Sequence, residues 1–271
     1  FRTLRPMHRS APRQGRGHRM AAVAWTIEGV PDETQRLLRS YVKDVAQAYG
    51  EQLDALLLFG SAVRGEFLPG RSNLNILLFL RSYDVALLKA YTGVHKKWSN
   101  DQVVVPLFLT KADLQASALV FPLEYQDIQD CHRLLWGQDP FIGFKVDPRH
   151  LAGEVLQSLR GNLVRMRQRL VEGGTTEESM LLLLPLSITA VLPVLRGVQR
   201  LLGRPVLSHG EPLVQDLADC LAIDLTGLSE ALSIKRGHIS PGHKEIPRVM
   251  DRYFDGLGRL VDAVERQVGQ R

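Results

Sequence analysis

Cysteine is almost missing from this chain. Cys131 and Cys220 are its two cysteines, far apart in 271 residues, which excludes a disulfide framework and a cysteine-built zinc site. A reducing, cytoplasmic setting is therefore expected. The histidines lack the spacing of a metal-binding helix face. Bilayer-length apolar runs are lacking too. The longest, Met180–Leu195, contains two prolines and spans 16 residues, whereas a spanning helix needs about 20. It is expected to be a buried bundle helix, and no membrane partner is expected.

Acids are absent from the first twenty residues, which hold six arginines: Arg2, Arg5, Arg9, Arg13, Arg16 and Arg19. Subtracting these six from the net charge of +5 leaves −1 for residues 21–271. The basicity belongs to a tail, so nucleic-acid binding is not indicated for the folded part. Pro6, Pro12, Gly15 and Gly17 would spoil an amphipathic transit helix, and Ala21–Trp25 is too short for a secretory core. Residues 1–24 are expected to be a disordered basic tail, with a targeting or nucleic-acid arm as the alternative and Met20 as a candidate start.

An apolar fraction of 45% supplies real cores. Leu37, Tyr41, Val45 and Tyr49 recur at helical spacing, predicting a helix over Pro31–Tyr49 with Asp32 as its N-cap and Gly50 as its stop. Leu53–Phe59 and Leu74–Leu80 read as buried strands, and Val103–Leu109 as a third, with a helix over Tyr83–Trp98. This order predicts a small α/β sheet over residues 25–145. Phe121–Phe141, a dense mix of aromatics, acids and His132, is read as an amphipathic connecting helix, or as an acceptor-side wall with Glu124 or Asp127 as base. No strand signal follows residue 146. His150–Val171, Met180–Leu202, Pro212–Ile223, Gly227–Ile234 and Ile246–Val268 have helical spacing, predicting a helical bundle domain over residues 146–271.

The segment that carries chemistry is Leu57–Leu80, LLFGSAVRGEFLPGRSNLNILLFL. Gly60 permits a tight turn and close approach of backbone to a phosphate. A helix starting at Ser61 would aim N–H groups at an anion, and the Ser61 hydroxyl can add a hydrogen bond. Residues 73 and 75 lie two apart on a strand and share a side.

This segment resembles the nucleotidyltransferase superfamily that includes DNA polymerase beta, and is most similar to its small bacterial and antibiotic-modifying members. Gly60-Ser61, Arg64-Gly65-Glu66, Pro69 and Ser72 carry the resemblance. It implies NTP as donor, transfer of a nucleoside monophosphate to an unknown acceptor, and Gly60, Ser61 and Arg64 at the phosphates. It also implies two aspartates on the second strand that hold Mg²⁺, and a third carboxylate on the next strand. Here the pair is Asn73 and Asn75, and Val103–Leu109 contains no acid. Mg²⁺ favours anionic oxygen, so its binding and catalysis are both expected to be weak or absent. Three readings follow: a natural pseudoenzyme; a site using displaced acids, with Glu66, Asp101, Glu124 and Asp127 as candidates; or a deliberately inactivated variant. A non-catalytic nucleotide- or protein-binding module, regulatory or antitoxin-like, is the alternative function.

Two further clusters stand out. Arg160, Arg165, Arg167 and Arg169 could reach a triphosphate across a cleft, or form a solvated helix face. Arg236 and His243 resemble in spacing the Arg…His pair of helical ribonuclease domains, but Gly237, Pro241 and Gly242 place them on a loop.

Overall fold

The structure is a computed structural model that describes residues 24–242 and 244–269, the side chains of 148, 149 and 269 excepted. The arginine-rich stretch up to residue 23, and His243, lie outside the described residues.

Helix α1 (Asp32–Tyr49) presents Leu38, Tyr41, Val42 and Val45 to the core. Pro31, not Asp32, takes the N-cap position, and Asp32 opens the first turn. Gly50 ends the helix at a positive φ of 53°, a conformation a side chain would disfavour. The chain then forms β1 (Leu53–Phe59), a long loop, β2 (Asn75–Leu80), α2 (Val85–Trp98) and β3 (Leu107–Leu109). Two short helices follow, α3 (Lys111–Ser117) and α4 (Pro122–Asp130), then β4 (His132–Gly137).

The four strands make one mixed sheet in the order β3-β2-β1-β4. β1 pairs antiparallel with β2 and β4, and β2 pairs parallel with β3. Alternate side chains serve two cores. Leu56, Leu58, Leu74, Ile76 and Leu78 pack under α1 and α2. Ala55, Leu57, Leu77 and Phe79 pack against α3, α4 and Phe141.

Three sequence expectations change here. The third strand shrinks to three residues, because Pro106 has no N–H for the ladder; Val103 keeps one isolated bridge to Leu74. Phe121–Phe141 is not one helix. α4 stops at Cys131, whose φ of −148° is extended, and the next six residues become an edge strand. Gly137 permits this, since a Cβ there would lie 2.0 Å from the Asp54 carbonyl oxygen. The helix expected from Ser61 is a single 3₁₀ turn, Gly60–Ala62.

The helical part comprises α5 (Pro148–Glu172), α6 (Glu177–Leu201), α7 (Gly210–Leu221), α8 (Thr226–Arg236) and α9 (Ile246–Gly269). Helix α6 is long and apolar enough to cross a membrane by length and composition. Most of its apolar side chains, Leu184, Ile188, Val191 and Leu195 among them, are instead buried in the bundle core. At its centre Ser187 Oγ donates to Asn162 Oδ1 at 2.8 Å and accepts from the Tyr253 hydroxyl at 2.7 Å. That pins α5, α6 and α9 in register and leaves no hydroxyl of the trio unsatisfied.

Candidate functional site: an amide pair beside a glycine-serine turn

Phe59 and Asn75 face each other at the open end of the β1–β2 pair. Gly60 then turns with φ +84°, and a Cβ built on it would lie 2.8 Å from Asn75 Nδ2. The Asn75 amide therefore rests directly on the Gly60 backbone. The turn is tight: the amides of Val63 and Arg64 both donate to the Gly60 carbonyl, and Glu66 N donates to the Ser61 carbonyl. Ser61 is half-buried. Its hydroxyl makes no hydrogen bond with the described residues.

The other end of the loop is closed by Ser72, whose Oγ accepts from Leu68 N at 2.9 Å. Leu74 is fully buried in the core under α1 and α2. Asn75, which opens β2, thus faces the opposite side of the sheet and is half-buried; Asn73, expected on the same strand, precedes it and is exposed.

The four candidate acids have separate fates. Glu66 accepts from Gly210 N and from Arg236 Nη2, both at 2.8 Å, tying the loop to α7 and α8. Asp127 is buried. Arg64 Nη2 reaches its Oδ2 at 3.0 Å, and Arg196 donates from Nε to Oδ1 at 2.5 Å and from Nη2 to Oδ2 at 3.0 Å. Burial alone would raise the Asp127 carboxyl, but the Arg196 hydrogen bonds and the charges of Arg196, Arg64 and Arg200 outweigh it and hold the group below the usual carboxylate range. Asp101 lies in the turn before Val103, its amide on the Trp98 carbonyl. Glu124 is exposed by area in the first turn of α4, yet nearby protein and then Asp127 push its carboxyl up. Among the described residues no group of three or more His, Cys, Asp or Glu side chains could hold a metal ion.

Arg64, expected at the phosphates, is 6% exposed and also donates to the Asp127 carbonyl at 2.8 Å. Its duty here is to anchor α4 beneath the loop. The first-helix arginines point elsewhere: Arg160 pairs with Glu265 on α9, Arg165 lies along its own helix over Gly161, and Arg167 and Arg169 are exposed. His132 is held between the Ile128 carbonyl at 3.0 Å and Asp139 at 3.0 Å, bracing the α4–β4 corner.

Residues the sequence reading overlooked supply the cations near the loop. Lys235 on α8 is half-buried and makes no ion pair with the described residues. Burial first, then Arg236 and Arg196, lower its ammonium below the ordinary lysine value, while Glu66 works against them. Arg71 reaches across to the end of α8, its Nη1 3.3 Å from where a Gly237 Cβ would sit. A signal for Arg196 and Arg200 was legible: two arginines one turn apart at the end of an otherwise apolar helix. A cavity of about 550 Å³ is lined by Trp25, Thr26, Arg39, Val42, Leu135 and Trp136. None of the residues around Gly60 lines it.

No protein-family model matches the sequence, and no curated protein matches it. Among solved structures, the chain is similar to the spectinomycin adenyltransferase AAD(9) from Enterococcus faecialis, crystallised with ATP and spectinomycin. The TM-score is 0.53 at 11% identity, over 83% of this chain and 98% of that one. The fold is of the nucleotidyltransferase type. A mixed four-stranded sheet with its helices, followed by a helical region, is the architecture the two share. The resemblance implies Mg²⁺ at the positions of Asn73 and Asn75. Neutral amides there, Glu66 and Asp127 already bonded to arginines, and no acid on β3 make a donor set that does not suit it.

Proposed function

We propose that this chain is a nucleotidyltransferase-fold protein that binds a nucleotide between its sheet and its helical part and has lost most or all nucleotidyl transfer. The observation that carries this is the Asn73/Asn75 pair beside Gly60-Ser61. The Gly60-Ser61 turn and the free Ser61 hydroxyl support a phosphate at this end of the sheet, while the residues that would place a metal and activate an acceptor hydroxyl are amides. Gly60 gives close approach, Ser61 a free hydroxyl, and Lys235 and Arg71 the opposing charge. An unpaired, partly desolvated lysine is costly unless an anion relieves it, which favours a polyphosphate over a neutral ligand.

The test compares NMP transfer from ATP to water or to aminocyclitol acceptors by the unmodified chain and by Asn73→Asp/Asn75→Asp. Little turnover by the former, with or without gain in the latter, supports the reading. Equal and rapid turnover by both would defeat it. A second reading, a protein-binding module, has one observation in its favour: Val105 and Leu107 near the sheet edge, and Leu119, Val120 and Phe121 before α4, are exposed apolar residues.

A further inference from the structure

Replacing two carboxylates by amides does more than weaken a cation site. A carboxylate oxygen only accepts hydrogen bonds, whereas a carboxamide also carries two N–H donors. At Asn73 and Asn75 the exchange removes two negative charges and introduces donors, those of Asn75 on the side of the sheet that faces away from α1 and α2. Of the four candidate acids, Asp101 is the one near Asn73 whose carboxylate is not engaged by the described residues, next to Gln102, whose carbonyl accepts from Leu74 N. Glu66 is occupied by Gly210 N and Arg236, and Asp127 by Arg64 and Arg196. At the seam with α8 the free charge is positive, from Lys235 and Arg71. The Ser61 hydroxyl is available on the same turn. Such a surface repels a divalent cation and solvates bare phosphate oxygens, which need donors and positive charge.

Resting on the nucleotide reading above, we infer that the site holds the nucleotide's polyphosphate directly, through the amides of Asn73 and Asn75 and the cations across the seam, so that Mg²⁺ competes with binding instead of assisting it. Mg²⁺ would compete for the same phosphate oxygens, and Asn73 and Asn75 would offer it only neutral oxygen. Free ATP is therefore the preferred form.

Calorimetric titration of the full chain with ATP, once in EDTA and once in excess MgCl₂, tests this. Losing one charge-assisted hydrogen bond is worth about tenfold in affinity. ATP should therefore bind at least about tenfold more tightly in EDTA. Asn73→Asp/Asn75→Asp, nearly isosteric, should reverse the order, binding MgATP better than free ATP. Asn75→Leu, which keeps the bulk and removes the donors, should weaken binding of free ATP without creating a preference for Mg²⁺; circular dichroism and thermal melts of each variant check that it is folded. Binding by the unmodified chain that requires Mg²⁺ would overturn the inference and leave the nucleotide reading standing. No ATP binding by any form, with or without Mg²⁺, would remove the nucleotide reading itself and this inference with it.

Discussion

Asp127 shows how one buried carboxylate organises the ground beneath the site. Two guanidinium groups, of Arg64 from the loop and Arg196 from α6, are almost fully buried against it, with Arg200 close by at 3.7 Å. Asp127→Asn would strand those cations, and removing one partner of such a cluster costs about 3–5 kcal/mol; urea unfolding at neutral pH measures this. The pH dependence has a definite sign. The folded carboxyl titrates below its unfolded value, so its stabilisation is complete above the ordinary aspartate value of about 4 and is lost as the pH falls through the lower folded value. The unmodified protein should lose stability steeply on that acid limb, and Asp127→Asn should lose less. Gly60 offers a second residue-scale check. Gly60→Ala meets both a positive φ and the Asn75 amide at 2.8 Å, a cost of about 2 kcal/mol. In the background of Asn75→Ala the steric part disappears and the conformational part remains, so the double mutant should be less destabilised than the sum of its singles.

At the scale of elements, glycines mark where helices touch. At Gly227 a Cβ would lie 2.3 Å from Tyr253 N and 2.4 Å from Arg252 C, so α8 packs on α9 backbone to backbone. At Gly197 the nearest atoms are the side-chain carbons of Leu123, at 2.4 Å, and Val155, at 2.8 Å. Side chains can change rotamer and backbone cannot. Gly227→Ala should therefore cost about 3 kcal/mol and Gly197→Ala about 1–2 kcal/mol, a ranking that denaturant midpoints would test. Such contacts also show which elements were legible beforehand. β1, β2, α1 and the C-terminal helices announce themselves through local periodicity, since each buries a contiguous run or stripe of its own residues. β4 does not. His132–Gly137 alternates in a way that a helix running on from Pro122 also satisfies, and what decides against the helix is the close approach of Gly137 to Asp54, a contact about eighty residues away in sequence. The site divides in the same manner. Gly60, Ser61, Asn73 and Asn75 form a local motif and could be read directly. The engagement of Glu66, Arg64 and Asp127 depends on Arg196, Gly210 and Arg236, which only the fold brings near.

The whole molecule is held across the seam by two ionic clasps of unlike character. One, around Asp127, is buried and joins α4 and the loop to α6. The other joins Glu66 to the start of α7 and to Arg236, which also bonds Glu211 at 2.8 Å; the Glu211 side chain is 46% exposed. The two carboxylates are equally exposed, at 12%, but Arg236 at 22% is more open to water and salt than Arg64 and Arg196 at 4% each, so the second clasp should fail first. Because Glu66 accepts from the Gly210 amide, that amide is a direct reporter. Glu66→Ala should speed hydrogen exchange at Gly210 and in the loop following Ser61, while the buried centre of α5, α6 and α9, pinned by Ser187, Asn162 and Tyr253, keeps its protection. The global cost should be small, about 1 kcal/mol, since the clasp is partly solvated. Raising the salt concentration should loosen Gly210 in the same sense in the unmodified protein. Loss of protection throughout the bundle in Glu66→Ala would instead mean that the two parts unfold as one unit. A ligand that bridges Ser61 and Lys235 would act on the same seam, so saturating ATP should restore protection at Gly210 in Glu66→Ala if the nucleotide site lies where the loop and α8 meet.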